Sequence, residues 1–286
     1  MNRPTSISSF QKIINIKVVV LVIATISGCI SEYTYYDDNY NILPSDIVDL
    51  EQKIEEFLLE VEPNFQSLLD NPNNSVEYNL THRKEDSIPL SDENNYKQSV
   101  KSVVCISAED NQGIFMGSGC IISSNGLIIT NSHVAKGCDK VVVTTFDGRH
   151  FKVESVLVSD DLLDITFLKI NAEGLDPFPI GNSDEITAGQ KTLVIGHPEG
   201  FLNTLSLGNV SAIRNYKSTN EGENIQITNP ISSGNSGGAL LNVYGELIGI
   251  PTWSLESDEN IAQIQNINFA VSINDAIELL NNSQRE

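Results

Sequence analysis

Residues 234–238 read Gly234-Asn235-Ser236-Gly237-Gly238 and run into Ala239-Leu240-Leu241, with Tyr244-Gly245-Glu246-Leu247-Ile248-Gly249-Ile250 close behind. A serine among glycines, followed by apolar residues that break at Tyr-Gly and resume, sits on a tight turn leading into a hairpin. Gly234 can take backbone angles barred to a residue with a Cβ, so its N–H can point the same way as that of Ser236. Two N–H groups converging beside a serine oxygen make an oxyanion hole, worth several kcal/mol in acyl transfer. Taken alone, the segment reads equally well as a plain hairpin connection.

A serine hydroxyl becomes a nucleophile when a histidine takes its proton, and that histidine needs a carboxylate to fix its tautomer. The chain has four histidines. His133 closes the apolar, β-rich run Gly126-Leu127-Ile128-Ile129-Thr130-Asn131-Ser132-His133-Val134-Ala135, where a strand gives way to a short helical turn. His197, between Gly196 and Pro198, reads as a turn residue. His82 lies in a polar linker, and His150 follows Asp147-Gly148-Arg149 at a hairpin tip. The carboxylate candidate is Asp164, the acid set inside the apolar stretch 162–170 and therefore expected to be buried. A buried carboxylate needs a hydrogen-bonding partner, which the imidazole of His133 supplies. Asp160 and Asp161 precede the strand and fit a solvated turn; a strand-start residue bonding its own backbone is the plainer reading of Asp164.

These motifs, in this order, resemble the HtrA/Deg-type serine proteases of the trypsin-like fold from about Tyr96 to Leu280. Gly117-Ser118-Gly119, then Ile121-Ile122 and Asn125-Gly126, resemble the family's opening hairpin. Thr130-Asn131-Ser132-His133-Val134 resembles its histidine motif, and Asp164-Ile165 through Leu168-Lys169-Ile170 its aspartate strand. Ile180 to Asp184, Val194 to Gly200 and Gly208 to Ala212 match connecting segments, and Asn268-Phe269-Ala270-Val271 closes the series. The resemblance implies an all-β fold of two barrels, with His133 as general base and acid, Asp164 as its orienter and Ser236 as nucleophile. It also implies an oxyanion hole at Gly234, Asn235 and Ser236. Ser232-Ser233 before the motif and Ala239 after it depart from the family's usual prolines without removing a catalytic atom. Many relatives carry PDZ domains after the protease; none is expected between the last protease element and Glu286.

The rest of the pattern agrees with a double β-barrel at 96–286, which would take roughly 190 residues. Short β-branched runs at 100–106, 119–122, 127–130, 141–145, 166–170, 191–195, 224–228 and 247–251 are separated by Gly, Asn and Asp. A short helix is expected at 275–280. In this fold the substrate pocket is built before the nucleophile and on the strand after it, here Ile231, Ser232, Ser233, Thr252 and Trp253. No acid stands among them, so nothing favours Lys or Arg in the substrate, and the resemblance points to small or aliphatic residues.

The first 29 residues follow a different logic. Arg3, Lys12 and Lys17 precede the apolar run 18–28, which leads through Ile26-Ser27-Gly28 into Cys29. A basic start, a short apolar core and small residues before cysteine read as an export signal of the lipoprotein type, cut before Cys29 with lipid added to its sulfur. The apolar run is short of the ~20 residues that span a bilayer, and an uncleaved signal anchor is the alternative. Either reading places the protein outside the cytoplasm, tethered to the membrane.

Residues 30–95 hold sixteen acids against Lys53, Arg83 and Lys84, which leaves −13 of the chain's net −21. Such an acid excess argues against nucleic-acid partners, which require clustered Lys and Arg. Within this acidic tether Ile47, Leu50, Ile54, Phe57, Leu58 and Val61 recur at helical spacing after Ser45-Asp46, predicting an amphipathic helix over 45–61. Its apolar stripe needs a partner, either the barrel or a homo-oligomer interface. Residues 70–95 read as a mobile loop. Cys105 reads as a buried thiol, while Cys120 and Cys138 flank the His133 segment and could bridge in an oxidising compartment. No motif suggests a metal or cofactor. Two functions fit: a serine endopeptidase acting on unfolded or damaged polypeptides, or a catalytically silent scaffold that keeps the fold.

Overall fold

The computed structural model describes residues 44–73, 75–215, 222–254 and 266–285. The leader, Cys29 and the start of the tether lie outside them. The chain divides into two compact units, 1–56 and 57–286. The described part of the first is the opening of helix α1 (Pro44–Glu60), one residue off the expected span, with Pro44 at a position where a missing N–H costs nothing. Among the described residues no helix is long and apolar enough to cross a membrane.

The second unit contains twelve described strands in two closed antiparallel barrels. Barrel 1 comprises β1 (Val103–Asp110), β2 (Gly113–Ser123), β3 (Leu127–Thr130), β4 (Lys140–Thr144), β5 (His150–Asp160) and β6 (Ile165–Ile170), ordered β1-β2-β3-β6-β5-β4 around the ring. Barrel 2 comprises β7 (Lys191–Gly196), β8 (Thr204–Asn215), β9 (Glu223–Ile227), β10 (Ala239–Leu241), β11 (Leu247–Ser254) and β12 (Asn268–Ser272). Its ring, β10-β11-β12-β9-β8-β7, repeats the winding of the first. Closure gives every described strand a neighbour on both sides. Each barrel encloses its own core: Val104, Ile106, Ile128, Val143 and Leu168 in the first, and Val194, Ile225, Leu240 and Ile248 in the second.

Strands β5 and β8 escape the sequence pattern because their residues alternate between core and solvent with polar groups interspersed. His150, expected at a hairpin tip, instead opens β5, with Nδ1 2.9 Å from Thr144 Oγ1. The C-terminal helix α5 (Ile273–Ser283) is longer than expected; Ser272 Oγ caps it by accepting from the Asp275 N–H.

The tether expectation needs correction. Phe65 on α2 (Phe65–Asp70) belongs to the barrel 1 core, and Leu58 and Val61 are buried before it. Lys140 Nζ donates to the Leu58 carbonyl at 2.9 Å, a cation on the last carbonyls of α1. The described residues of 71–90 hold no helix or named strand, yet backbone bonds pin them at several points. Asn73 N–H donates to Val156 O, Ile180 N–H to Thr81 O and Leu90 N–H to Val243 O, each at 2.8 Å. Helix α3 (Asp92–Ser99), capped by Ser91, then occupies the stretch read as loop. The loop reading failed because these segments are held by backbone bonds to residues far along the sequence.

The bridge between Cys120 and Cys138 is absent: Cys105, Cys120 and Cys138 are all buried free thiols. Cys120 instead faces barrel 2, its Sγ 3.6 Å from the Gly237 carbonyl. Burial pushes the Cys105 thiol up to about 12, as expected of an inert core cysteine.

Candidate functional site

The two barrels bring equivalent connections together. His133 lies on α4 (Ser132–Ala135), in the connection after the third strand of barrel 1; Ser236 lies in the connection after the third strand of barrel 2. Asp164 ends the turn between β5 and β6, with φ of 57°, a left-handed conformation that Asp tolerates better than most residues. The Asn131 side-chain amide holds that turn by donating to Asp164 O at 2.8 Å.

Both oxygens of the Asp164 carboxylate are engaged. Oδ1 accepts from Ser132 Oγ and from the His133 backbone N–H, both at 3.0 Å, which satisfies donors in the first turn of α4. Oδ2 lies 2.7 Å from His133 Nδ1 and accepts from Thr252 Oγ1 at 2.5 Å. Burial alone pushes this carboxyl up, yet the His133 imidazole, the Thr252 hydroxyl and the His133 N–H together hold it below the usual carboxylate range. An ionised carboxylate only accepts, so Nδ1 carries a hydrogen, and in the neutral ring that leaves Nε2 as the acceptor. Asp164 is less enclosed than its apolar context suggests: its side chain is 24% exposed, and that of His133 is 51% exposed.

Two tight turns share Asn235, and Ser236 is the second residue of the latter. Asn235 N–H donates to Ser232 O at 3.0 Å, with Gly234 in the third position at φ 92°; Gly238 N–H donates to Asn235 O at 2.9 Å, with Gly237 in the third position at φ 82°. A Cβ on Gly234 would meet His197 O at 2.3 Å, and one on Gly237 would meet Ser118 O at 2.1 Å. The N–H groups of Gly234 and Ser236 donate to no other described residue, as an oxyanion hole requires. The Asn235 N–H, by contrast, is spent on its turn. Ser236 Oγ donates to the Thr252 carbonyl at 3.2 Å rather than to His133.

Sequence reasoning missed the brace behind this turn. Ser118 on β2 donates its N–H to Ser236 O at 2.9 Å and its Oγ to Gly234 O at 2.6 Å, tying barrel 1 to the serine turn of barrel 2. Ser118 Oγ accepts in turn from His197 N–H at 3.0 Å, and Glu199 N–H donates to Ser233 O at 2.8 Å. His197 does begin a turn, but it is buried there. Its Nδ1 accepts from the Asn203 N–H at 2.9 Å, and burial pushes its pKa down to about 4. The unfolded polypeptide takes up a proton near pH 6.5 that the folded protein refuses until about pH 4. Stability from this residue is therefore complete above pH 6.5 and falls by about 3 kcal/mol as pH drops through that window. His197→Asn, which keeps an acceptor, is expected to lose less stability between pH 7 and 4.5 than the parent in urea melts. Equal losses would remove His197 as the source.

The expected pocket residues divide. Ile231 packs against the barrel 2 core, and Ser232 and Ser233 are exposed beside the turn. Trp253 is partly exposed and stacks on Phe269 with ring centroids 3.9 Å apart. Thr252, placed in the pocket by its position, points its hydroxyl at Asp164 and serves the carboxylate. His82 stands apart from the site, its Nδ1 3.2 Å from Ile180 O.

A family model described as a trypsin-like peptidase domain matches residues 117–250. The chain is 37% identical over 197 residues to the serine endoprotease DegS of Haemophilus influenzae, across 68% of this chain and 57% of that protein. It is 36% identical over 167 residues to the "Probable periplasmic serine endoprotease DegP-like" of Pseudomonas fluorescens, across 58% of this chain and 34% of that one. The crystal structure of the serine endoprotease from Yersinia pestis superposes with a TM-score of 0.59 at 31% identity, over 70% of this chain and 68% of that one. The chain belongs to the HtrA-type proteases with a trypsin-like peptidase domain. It spans little more than half of the DegS relative and about a third of the DegP-like one.

Proposed function

We propose that this protein is an extracytoplasmic serine endopeptidase that cleaves unfolded or damaged polypeptides through an acyl-enzyme formed on Ser236. The observation that carries the reading is the Asp164–His133 pair at 2.7 Å beside a serine whose own N–H and that of Gly234 are unspent. Asp164 holds the Nδ1–H tautomer, so His133 Nε2 can take the Ser236 proton when the hydroxyl turns from the Thr252 carbonyl. Catalytic hydrogen bonds of this kind often form only with substrate in place. Ser236 Oγ then attacks the scissile carbonyl carbon, and the carbonyl oxygen becomes an anion held by the Gly234 and Ser236 N–H groups. His133 passes the proton to the departing amine, and water, deprotonated by the same Nε2, releases the acyl half. No metal or cofactor is called on.

Labelling with a fluorophosphonate probe tests this. The protein is expected to take up the probe and cleave denatured casein, and Ser236→Ala to do neither. A folded protein that never takes up label is a scaffold.

The periplasmic designation of the DegP-like relative and the basic, apolar leader support a location outside the cytoplasm. We assign the tether to lipidated Cys29. Cys29→Ser is then expected to abolish lipid incorporation and move the protein out of the membrane fraction. Retention there with an uncleaved N-terminus would establish a signal anchor instead. One acyl group holds a protein only marginally, so the mature form should carry at least two.

A further inference from the structure

Ser118 on β2 is wholly buried, and every one of its polar groups is engaged. Its carbonyl accepts from Thr130 Oγ1 at 2.7 Å within barrel 1. The remaining bonds cross to barrel 2. The N–H donates to Ser236 O, while the hydroxyl donates to Gly234 O at 2.6 Å and accepts from the His197 N–H at 3.0 Å. A hydroxyl can donate and accept at once, and this one does both.

The two carbonyls held by Ser118 belong to Gly234 and Ser236, the residues whose N–H groups face the oxyanion. A trans peptide is planar, so a held carbonyl fixes the N–H on the far side of the same plane. Gly234 O shares its plane with the Asn235 N–H, which donates to Ser232 O, so that plane is pinned at both ends. The plane after Ser236 is pinned likewise, by the Ser118 N–H on Ser236 O and by Pro251 O, which accepts from the Gly237 N–H at 3.0 Å. The plane that carries the Gly234 N–H has Ser233 O at its other end, held by the Glu199 N–H. The Ser118 hydroxyl anchors the segment that supplies Glu199, through the His197 N–H. Gly234 and Gly237 have no side chains to narrow their backbone angles, and Ser232 and Ser233 are exposed, so the turn is restrained from behind. Two N–H groups stabilise an oxyanion best when their direction is fixed before the anion forms.

We propose that the Ser118 hydroxyl is a positioning residue for the oxyanion hole, one group that fixes both the serine turn and the segment clamping the Gly234 peptide. It acts through the backbone of Gly234 and His197. The proposal rests on the endopeptidase reading and adds to it a residue outside the Ser-His-Asp set. Ser118→Ala removes both bonds at once and leaves a buried acceptor and a buried donor to find other partners.

The test compares folded variants on a peptide taken from a mapped casein cleavage site. Ser118→Ala is expected to lower kcat by at least ~10-fold while KM stays within about threefold of the parent. Fluorophosphonate labelling, which places a phosphoryl oxygen in the same hole, should slow in parallel. The Kd for intact peptide, read by fluorescence anisotropy, should agree within about twofold between Ser236→Ala and Ser118→Ala/Ser236→Ala. Ser118→Cys keeps the shape with a weaker donor; it is expected to fall between parent and Ser118→Ala, and replaces the latter if that variant does not fold. Ser183→Ala deletes another buried hydroxyl, one bonded to Ser272 and Asn274, and should keep the parental kcat per folded molecule. A folded Ser118→Ala or Ser118→Cys protein with kcat within about threefold of the parent overturns the positioning role, as does a peptide Kd that weakens as much as kcat/KM falls. A parent protein that neither labels nor cleaves overturns the endopeptidase reading itself.

Discussion

Ser236→Ala, His133→Ala and Asp164→Asn are each expected to cut peptide hydrolysis by at least ~10³-fold while the protein stays folded. The three groups act as a unit, so the double and triple variants should be scarcely worse than the worst single one. Asp164→Asn is the sharpest of the set. It turns one of the two carboxylate positions into an NH2, so either the His133 Nδ1 and Thr252 Oγ1 donors at Oδ2 or the Ser132 Oγ and His133 N–H donors at Oδ1 face a donor in place of an acceptor. The ring is then free to adopt the tautomer whose Nε2 cannot accept a proton. Near-normal casein cleavage by folded Asp164→Asn would mean that another acid orients His133. The neighbours are poorly placed to replace it. Asp160 accepts from the Leu162 and Leu163 N–H groups at 2.8 and 2.9 Å, and Asp161 pairs with Lys136.

Removing residues 30–95 is expected to cost the barrels much of their stability. Leu58, Val61 and Phe65 are buried, and Phe65 sits in the same apolar cluster as Val104, Ile106 and Val143. At about 2 kcal/mol for each of these buried residues, their loss amounts to about 6 kcal/mol, or more than ~10 °C in melting temperature for a unit of this size. Backbone bonds from Asn73, Thr81 and Leu90 go with them. Thermal melting of residues 30–286 against residues 96–286 reads the difference, with light scattering to exclude a change of assembly. Equal melting temperatures would reduce this stretch to a passive spacer. Peptide turnover per folded molecule should change far less than stability, because the backbone bonds of Asn73, Thr81 and Leu90 run to Val156, Ile180 and Val243 and not to the serine turn.

The local chemistry of the site was legible along the sequence. A serine between glycines, a histidine at a strand end and an acid in an apolar run are short-range patterns, each tied to a local backbone need. The alternation of β-branched residues likewise announced most strands, because the period of a strand depends only on a residue's neighbours. Helix α1 was legible for the same reason.

Contacts across long sequence separations were not legible. The Thr252 hydroxyl reaches Asp164 from 88 residues away, and Ser118 reaches the serine turn from 116 residues away. Nothing in the neighbourhood of Thr252 distinguishes a hydroxyl that lines a pocket from one that orients a carboxylate. The same holds for Phe65, which looks like part of a solvated tether until barrel 1 closes around it, and for Cys120, whose thiol meets a barrel 2 carbonyl instead of Cys138. His197 reads as a turn residue and is one, but its burial follows from packing in the folded domain. Hydrogen bonds and burial depend on which surfaces meet, and here those surfaces are set by the closure of two barrels of the same winding.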